Sequence, residues 1–368
     1  MPTLSRRTLL KNGLAAALTA NLIPPTKANP NQITRATVPL GVHLPLWHGG
    51  GLNPDKFWPE VFEELREHNI KRCMLMVYRF INPITGQISN ESQFKTTAAP
   101  NLKFLQKGLH EAAQFGISAS LYPMLEIDNN KNIGAVWRGY LNFFGAALEN
   151  FFAQYQQNLT ELAEAACQAK AKALYIGSEQ ASLTHNRAAR PHWDQLIFEL
   201  RRAIKHSPHP DLKLAYAAHW ESYATVPFWR QLDNISVNAY FPLATKEQAS
   251  GPNKPARAQL KHQLTAKLNV LQNFAKAQKR PLTISEFGLT PFDQTTTTPW
   301  SQSPSNIKDP RERQIAFQTL FEILETKQSH PEALYLWHWR LPGRTGSPYN
   351  ISPNTPLTKL IKAYSAAK

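Results

Sequence analysis

The feature that most constrains the fold is the regular alternation of short apolar runs with longer amphipathic segments. Eight runs are rich in β-branched and aromatic residues and have the length of buried parallel strands. A helix-like segment follows each of them, so the pattern predicts an α/β fold, a single-domain (β/α)8 TIM barrel over residues 39–368. The predicted strands lie at 38–47, 72–80, 117–127, 173–179, 212–220, 235–241, 281–286 and 333–339.

The amphipathic segments carry apolar residues at spacings of three and four, which is typical of helices packed on one face. The main rival is a doubly wound open sheet, which usually has a glycine-rich phosphate turn after its first strand. The candidate turn, Gly49-Gly50-Gly51, lacks the G-x-G-x-x-G spacing, so the barrel is favoured. The predicted helices lie at 55–69, 101–115, 140–170, 191–206, 226–232, 256–279, 309–327 and 355–367.

The first 38 residues are predicted to be a targeting signal and a linker rather than part of the folded domain. Residues 1–28 combine Arg6 and Arg7 with a modestly apolar stretch and a small residue at a plausible cut site, Ala28. The segment Ser5–Lys11 resembles a bacterial twin-arginine signal. We therefore expect a signal peptide at 1–28, a linker at 29–38, and a periplasmic or secreted mature protein.

The net charge and its distribution indicate which classes of partner are expected. The chain has a formal charge of +15, and the four basic residues of 1–28 account for the difference from the +11 of the rest. The basic residues are scattered rather than clustered, which argues against nucleic acid as the partner. No apolar run is long enough to span a membrane after the signal, and we expect a monomer.

Motifs for cofactors, metals and serine nucleophiles are missing from the sequence. There is no H-E-x-x-H and no G-x-S-x-G, and His43 and His48 lack the spacing of a metal-binding pair. Cys73 and Cys167 both lie in apolar contexts and are read as buried free thiols. The sequence therefore predicts catalysis without a cofactor or metal.

Two strands end in a glutamate, at Glu179 and at Glu286. The carboxyl ends of barrel strands form the face where active sites are built, and the longest predicted loops also follow strands. Two carboxylates at that face are the minimum equipment for glycoside hydrolysis, although either one alone could be a solvated rim residue. Glu126 and Asp128 form a second acidic pair, which we read as part of a polar loop.

Several segments together resemble glycoside hydrolase family 113, the retaining β-mannanase-type barrels of the large clan A. The likeness covers most of residues 39–342. Its most specific parts are Gly177-Ser178-Glu179, the Asn238-x-Tyr240-x-Pro242 run and Glu286-Phe287-Gly288, supported by Trp137-Arg138 and by the closing Leu336-Trp337-His338-Trp339. The wider clan usually has asparagine before the first glutamate to bind the sugar 2-hydroxyl, and here that position is Ser178.

The resemblance implies roles for particular residues. Glu179 would be the acid/base and Glu286 the nucleophile. Tyr240 could donate a hydrogen bond to Glu286, although a structural role in the core is equally open. Asn238 shares the strand face of Tyr240 by the period of two, so we expect it to point inward.

The remaining candidates are substrate contacts. Trp337 and Trp339 would share a face of the last strand, with core packing open for one of them. Trp137, Trp220 and Trp300 lie on loops or at a strand end and are read as candidate sugar platforms. The full set of candidate substrate-binding residues is His43, Trp47, Arg79, Trp137, Arg138, Ser178, His219, Trp220, Asn238, Trp300, Trp337 and Trp339.

The sequence thus predicts a retaining glycoside hydrolase acting on a β-linked polysaccharide, either a β-1,4-mannan or, from its basic body, an acidic or amino-sugar exopolysaccharide. The alternative from another class is a non-catalytic carbohydrate-binding barrel that serves polysaccharide export or attachment. A nucleic-acid or membrane binder is a third reading and rests on net charge alone.

Overall fold

The computed structural model describes residues 38–46, 52–92, 100–128, 137–249, 255–326, 330–343 and 346–366. All of them fall within one compact unit. Eight parallel strands close into a barrel with helices around it, so the predicted single-domain (β/α)8 TIM barrel is confirmed. The expected signal peptide at 1–28 and linker at 29–38 lie outside the described residues, apart from Val38.

The elements have the following bounds. The described strands are β1 (Leu40–Pro45), β2 (Arg72–Ile81), β3 (Ile88–Ser89), β4 (Ser118–Ile127), β5 (Ala173–Ser178), β6 (Lys213–His219), β7 (Ile235–Asn238), β8 (Leu282–Phe287) and β9 (Ala333–Leu336). The described helices are α1 (Pro54–Glu67), α2 (Leu102–Gln114), α3 (Gly145–Gln168), α4 (Ala181–His185), α5 (Arg190–Lys205), α6 (Lys246–Ala249), α7 (Arg257–Ala277), α8 (Pro310–Thr326) and α9 (Pro356–Ala366).

The barrel closes because β1 pairs in parallel with both β2 and β9. Around the barrel the order is β1-β2-β4-β5-β6-β7-β8-β9, and every neighbouring pair is parallel. The short strand β3 lies outside this closed set, antiparallel to the end of β2. The fourth and seventh barrel strands are therefore β5 and β8.

Local sequence explains where the first two helices begin. Asn53 directly precedes Pro54, and its side chain accepts a hydrogen bond from the backbone N–H of Asp55. The Asn101 side chain likewise accepts one from the backbone N–H of Phe104. Both are N-cap arrangements that satisfy amides left free in the first turn. The apolar face of α1, including Trp58 and Phe62, then packs fully buried against the barrel.

The barrel has two apolar layers of different composition. Outward-facing strand residues such as Val42 and Leu75 join the helix faces in one large core. A smaller cluster inside the barrel includes Met74, Tyr175 and Ala215. Each large side chain buried in this way contributes on the order of 2 kcal/mol. The lower interior is thus filled, and the polar inward-facing residues gather at the carboxyl ends of the strands.

The structure adds details that the alternation pattern did not predict. Helices α4 and α6 are short turns within the loops that follow β5 and β7, and α3 begins at Gly145 rather than at residue 140. Both cysteines are buried and free, as expected. Among the described residues, no helix has both the length and the apolarity needed to cross a bilayer.

Candidate active site

The two glutamates singled out from the sequence meet at the carboxyl-terminal mouth of the barrel. Glu179 directly follows β5, and Glu286 is the penultimate residue of β8. Their exposed fractions are only 8% and 4%. Two carboxylates withdrawn from water at the end of a TIM barrel are placed where such barrels build their active sites.

The strands reach this arrangement through irregular register. In β5 the pairing with β6 shifts between Tyr175 and Ser178, and in β8 a shift falls between Ile284 and Phe287. Such bulges break the inward–outward alternation and re-aim side chains. As a result, the consecutive residues Ser178 and Glu179 both contact groups inside the barrel, and so do Ser285 and Glu286. Glu179 also has a positive φ of 55°.

Glu286 is fixed by three hydrogen-bond donors. Tyr122 donates to Oε1 at 2.6 Å and Asn238 donates to the same oxygen at 3.0 Å, while Tyr240 donates to Oε2 at 2.8 Å. Hydrogen bonds from neutral donors favour the ionised form of a carboxylate. The three donors therefore orient the Glu286 carboxylate and favour its ionised form.

Asn238 links the two glutamates. Its amide nitrogen lies 3.1 Å from Oε1 of Glu179 and 3.0 Å from Oε1 of Glu286, so these two oxygens are within about 6 Å of each other. Its amide oxygen accepts a hydrogen bond from the Ser285 hydroxyl at 2.8 Å, which fixes the orientation of the amide. Asn238 is completely buried, so the bridge is shielded from water.

Tyr122 is the contact that the sequence analysis missed. It lies in the middle of β4, its hydroxyl also reaches Ser178 Oγ at 2.9 Å, and its side chain is fully buried. The only sequence signal is that Tyr122, Met124 and Glu126 share one strand face by the period of two. That period predicts an inward direction for Tyr122 but does not predict which groups it meets there.

Electrostatics couples the groups at this mouth. Burial and the neighbouring Glu179 carboxylate raise the pKa of Glu286, and the hydroxyls of Tyr122 and Tyr240 oppose that rise. Burial also raises the pKa of both tyrosines well above its ordinary value, and the Glu286 charge adds to this effect. The two phenols therefore remain protonated donors across the physiological pH range.

His43 and Trp337, two of the predicted substrate contacts, lie together at one side of the mouth. The His43 ring lies 4.7 Å from that of Tyr122 and 5.1 Å from that of Trp337. Its Nε2 is 2.7 Å from the carbonyl oxygen of Ser285, and burial lowers the pKa of His43 to about 3. His43 is thus a neutral ring that donates to the backbone beside Glu286.

Arg138 brings a positive charge to the mouth. The charges of Glu179, Glu286 and Glu126 raise the pKa of Arg138 against the opposing effect of burial. Within the described part of the chain, Arg138 donates a hydrogen bond to the Met124 sulfur at 2.9 Å, and thioethers are weak acceptors. The guanidinium therefore balances the carboxylates through space and keeps donors available.

A row of aromatic side chains leads away from Glu179. The Trp137 and His219 rings lie 4.9 Å apart, His219 and Trp220 5.5 Å, and Trp220 and Trp300 6.0 Å with their planes inclined by 25°. Gly139 makes room for Trp137, since a Cβ at 139 would lie 2.0 Å from the indole. These four predicted contacts are therefore neighbours, and we call them the aromatic row.

Two predicted substrate contacts lie elsewhere and must be corrected. Arg79 faces away from the barrel interior, where its Nε donates to Asn158 of α3 at 2.9 Å. Trp339 is fully buried in the outer core, and its indole donates to Glu64 of α1 at 2.7 Å. Trp337 and Trp339 do not share a strand face, because β9 ends at Leu336. Trp47 lies outside the described residues.

One group of three carboxylates with metal-ligand proximity exists among the described residues, namely Asp293, Asp309 and Glu312. The Glu312 carboxylate already accepts hydrogen bonds from the backbone of Gln294 and Thr296. The group lies in the loop after β8 and at the start of α8, and Glu312 acts there as a loop anchor.

Comparisons with known proteins agree with this geometry. A model of glycoside hydrolase family 113 matches residues 58–345. No curated protein sequence matches the chain. A GH113 β-1,4-mannanase solved as a complex superposes with a TM-score of 0.71 at 16% identity, over 90% of this chain and 99% of that one.

Further solved structures resemble the chain. The GH113 β-mannanase AaManA from Alicyclobacillus acidocaldarius, in complex with ManMIm, gives a TM-score of 0.69 at 17% identity over 90% of this chain and 98% of that one. An endo-β-1,4-mannanase from Thermotoga petrophila gives 0.57 at 12% identity, with 89% and 76% covered. At these identities the superpositions establish the shared fold, while the family model covers most of the sequence.

Proposed function

Because the chain belongs to glycoside hydrolase family 113, we propose that it cleaves a β-linked polysaccharide with retention at the anomeric carbon. A β-1,4-mannan is the first candidate substrate, since the similar solved structures are described as β-mannanases. A bacterial exopolysaccharide is the second candidate, because the body of the protein is basic. The proposal assigns the acid/base role to Glu179 and the nucleophile role to Glu286.

The spacing of the carboxylates carries the proposal. Retaining glycosidases hold their two carboxyl groups about 5–5.5 Å apart, whereas inverting enzymes need about 6.5–9.5 Å to admit a water molecule. The shared Asn238 amide limits the nearest bridged oxygens of Glu179 and Glu286 to within about 6 Å. This limit favours direct attack by a carboxylate over attack by an interposed water.

The hydrogen bonds support the division of roles. Glu286 accepts from Tyr122, Tyr240 and Asn238, while Glu179 accepts from Asn238 alone among the described contacts. Burial and the Glu179 charge raise the pKa of Glu286, and the Tyr122 and Tyr240 hydroxyls oppose that rise by favouring its ionised form. The proposal therefore gives the nucleophile role to the carboxylate with the extra donors, Glu286, and the acid/base role to Glu179.

The reaction follows from this assignment of roles. A Glu286 oxygen bonds to the anomeric carbon as the bond to the leaving oxygen breaks, and Glu179 gives its proton to that oxygen. A water molecule then attacks the same carbon, Glu179 takes the proton from this water, and Glu286 departs as a carboxylate. Two inversions give net retention.

The alternative of a non-catalytic carbohydrate-binding barrel is less well supported. Binding alone does not require two buried carboxylates bridged by one amide, and burying them is costly. The direct test is reducing-sugar release from neutral, acidic and N-acetylated β-glycans, with Glu286→Gln alongside. Activity that the variant loses supports the enzyme, and glycan binding without cleavage by the unaltered protein would favour the binding barrel.

We also propose export by a twin-arginine route, on the basis of Ser5–Lys11 and the small-residue segment near Ala28. The test is to replace Arg6 and Arg7 together by lysine in the full-length chain expressed in a bacterium with a twin-arginine system. Retention of the variant in the cytoplasm, with export of the unaltered chain, is the expected result. Equal export of both chains would contradict the proposal.

A further inference from the structure

The aromatic row extends the candidate active site in one direction. It begins beside the acid/base candidate, because His219 ends β6, the strand that pairs with β5, and Glu179 directly follows β5. Glu286 lies on β8, which β7 separates from β6, so His219 lies on the Glu179 side of the pair. From His219 the rings continue through Trp220 to Trp300.

This direction has a chemical meaning. The acid in a retaining mechanism stands beside the oxygen that leaves, while the nucleophile stands at the anomeric carbon. The sugar residues released with the leaving oxygen therefore lie on the Glu179 side of the cut bond. His219 and Trp220 lie at the end of β6 on that side, and Trp300 packs on Trp220. Trp337 and His43 lie beyond β8, at β9 and β1.

Trp300 is exposed and yet held in place. Its exposed fraction is 50%, while one side of the indole rests against Trp220. The preceding residue, Pro299, accepts a hydrogen bond from the Tyr349 hydroxyl at 2.6 Å through its carbonyl oxygen. Its loop is further anchored where Thr296 donates to Glu312. A half-exposed indole on an anchored loop is a surface prepared for a ring-shaped ligand.

We propose that Trp300, backed by Trp220, stacks on the second sugar of the leaving-group side. His219 and Trp137 flank the position of the first sugar, and Trp300 lies two ring contacts further along the row. The inference rests on the proposed function. It adds that the protein binds the polymer beyond the cut bond, on the side of the leaving group.

The experiment compares two substrates that differ only on the leaving-group side. A β-1,4-mannan hexasaccharide places sugars there, whereas an aryl β-mannobioside places a single phenol. Trp300→Ala is expected to lower kcat/KM for the hexasaccharide about three- to tenfold, the usual worth of an aromatic stacking contact. Its kcat/KM for the aryl substrate is expected to stay unchanged, because the phenol ends before Trp300.

A matched control is Phe198→Ala, which removes another exposed aromatic, 61% exposed on α5, at no predicted subsite. It is expected to leave both substrates unaffected. Urea unfolding of Trp300→Ala is expected to match the unaltered chain, which separates a binding effect from misfolding. The cut positions in the hexasaccharide should shift toward products that no longer place a sugar on Trp300.

The outcomes separate this inference from the proposed function. An equal loss on both substrates, or no loss on the hexasaccharide, would overturn the subsite while the enzyme remains established by its activity. If the unaltered chain cleaves neither substrate, binding of the hexasaccharide to the Glu286→Gln chain decides. Binding that Trp300→Ala weakens would support the platform and overturn the enzyme, and binding that it leaves unchanged would overturn both.

Discussion

The ends of β5 and β8 carry similar local sequences, with serine directly before Glu179 and before Glu286, and yet they give the two carboxylates different surroundings. Glu286 is enclosed by two phenols and an amide, each within 3.0 Å. Glu179 has the shared amide, a positive φ, and the aromatic row beside it. The neighbouring strands therefore decide which glutamate is surrounded by hydrogen-bond donors and which lies beside the aromatic row.

The largest expected effect comes from replacing each glutamate by glutamine. Glu286→Gln should lower kcat/KM by at least about 10⁴-fold on polymer and on aryl glycosides alike, because no bond to the anomeric carbon can form. Glu179→Gln should lower polymer cleavage by about 10²–10⁴-fold. For an aryl glycoside with an acidic phenol, glycosylation by this second variant should be nearly unimpaired.

The measurement is a burst of phenol release followed by slow turnover in the Glu179→Gln chain, since the intermediate forms but water is no longer activated. Added azide should raise that turnover by attacking the intermediate directly. If Glu286→Gln, and not Glu179→Gln, retained cleavage of substrates with an acidic leaving group, the roles assigned to the two strand ends would be wrong.

A smaller effect should come from the phenols that surround Glu286. Tyr122→Phe and Tyr240→Phe each remove a hydrogen bond to a charged group, worth about 1.5–3 kcal/mol, so kcat/KM should fall about 10- to 10²-fold. Each removed donor had favoured the anion, so the pKa of Glu286 rises further. Because the nucleophile must be ionised, the acidic limb of the pH–rate profile moves to higher pH while the alkaline limb stays.

Tyr175→Phe provides the matched control for these variants. Tyr175 lies inside the same barrel with its ring 4.9 Å from that of Tyr122, but its hydroxyl is 3.5 Å from Ser236 Oγ and not beside Glu286. Its pH–rate profile should match that of the unaltered chain. A shift in this control equal to that of Tyr122→Phe would show that packing, and not the donated hydrogen bond, sets the nucleophile.

Removing the bridge should affect both strand ends together. Asn238→Ala deletes the one donor that Glu179 and Glu286 share, so the anionic form of each carboxylate loses support. The pKa of Glu286 should rise further, so the acidic limb of the pH–rate profile should move to higher pH. kcat/KM should be about tenfold lower at its maximum, because Glu179 also loses the amide that orients it. The same loss of kcat/KM with an unmoved acidic limb would place the role of the amide with Glu179 alone and so sharpen the difference between the two ends.

Strand patterns predicted where much of this site lies, and the parts that they did not predict depend on contacts formed only in the folded barrel. The apolar runs of 173–179 and 281–286 placed Glu179 and Glu286 at the mouth because parallel barrel strands end on one face. Tyr122 was not identified from the sequence because its role depends on a contact across the barrel. Only the folded barrel brings this residue, in the middle of β4, to Glu286 of β8. The register shifts near both glutamates were likewise invisible to a period of two.

The two corrections have different origins. Arg79 could have been placed from the pattern, because Tyr78 faces into the barrel and its neighbour must then face outward. Trp339 could not, because it lies beyond the end of β9, where alternation no longer applies and α1 supplies Glu64 as its partner. Ending a strand at the mouth is therefore insufficient unless the side chain also points inward.

Arg79→Met tests that condition with the smallest expected effect on catalysis. Arg79 lies near the carboxyl end of β2, but its guanidinium donates to Asn158 and to the carbonyl of Tyr78. Losing these buried hydrogen bonds should lower the free energy of unfolding by about 1–3 kcal/mol, measured by urea unfolding. Because no contact reaches the carboxylate pair, kcat/KM and both pH limbs should be unchanged below the unfolding transition. An altered acidic limb would mean that outward-facing side chains also affect the pKa of Glu286. The difference between the ends of β5 and β8 would then not be set only by the groups that contact the two glutamates.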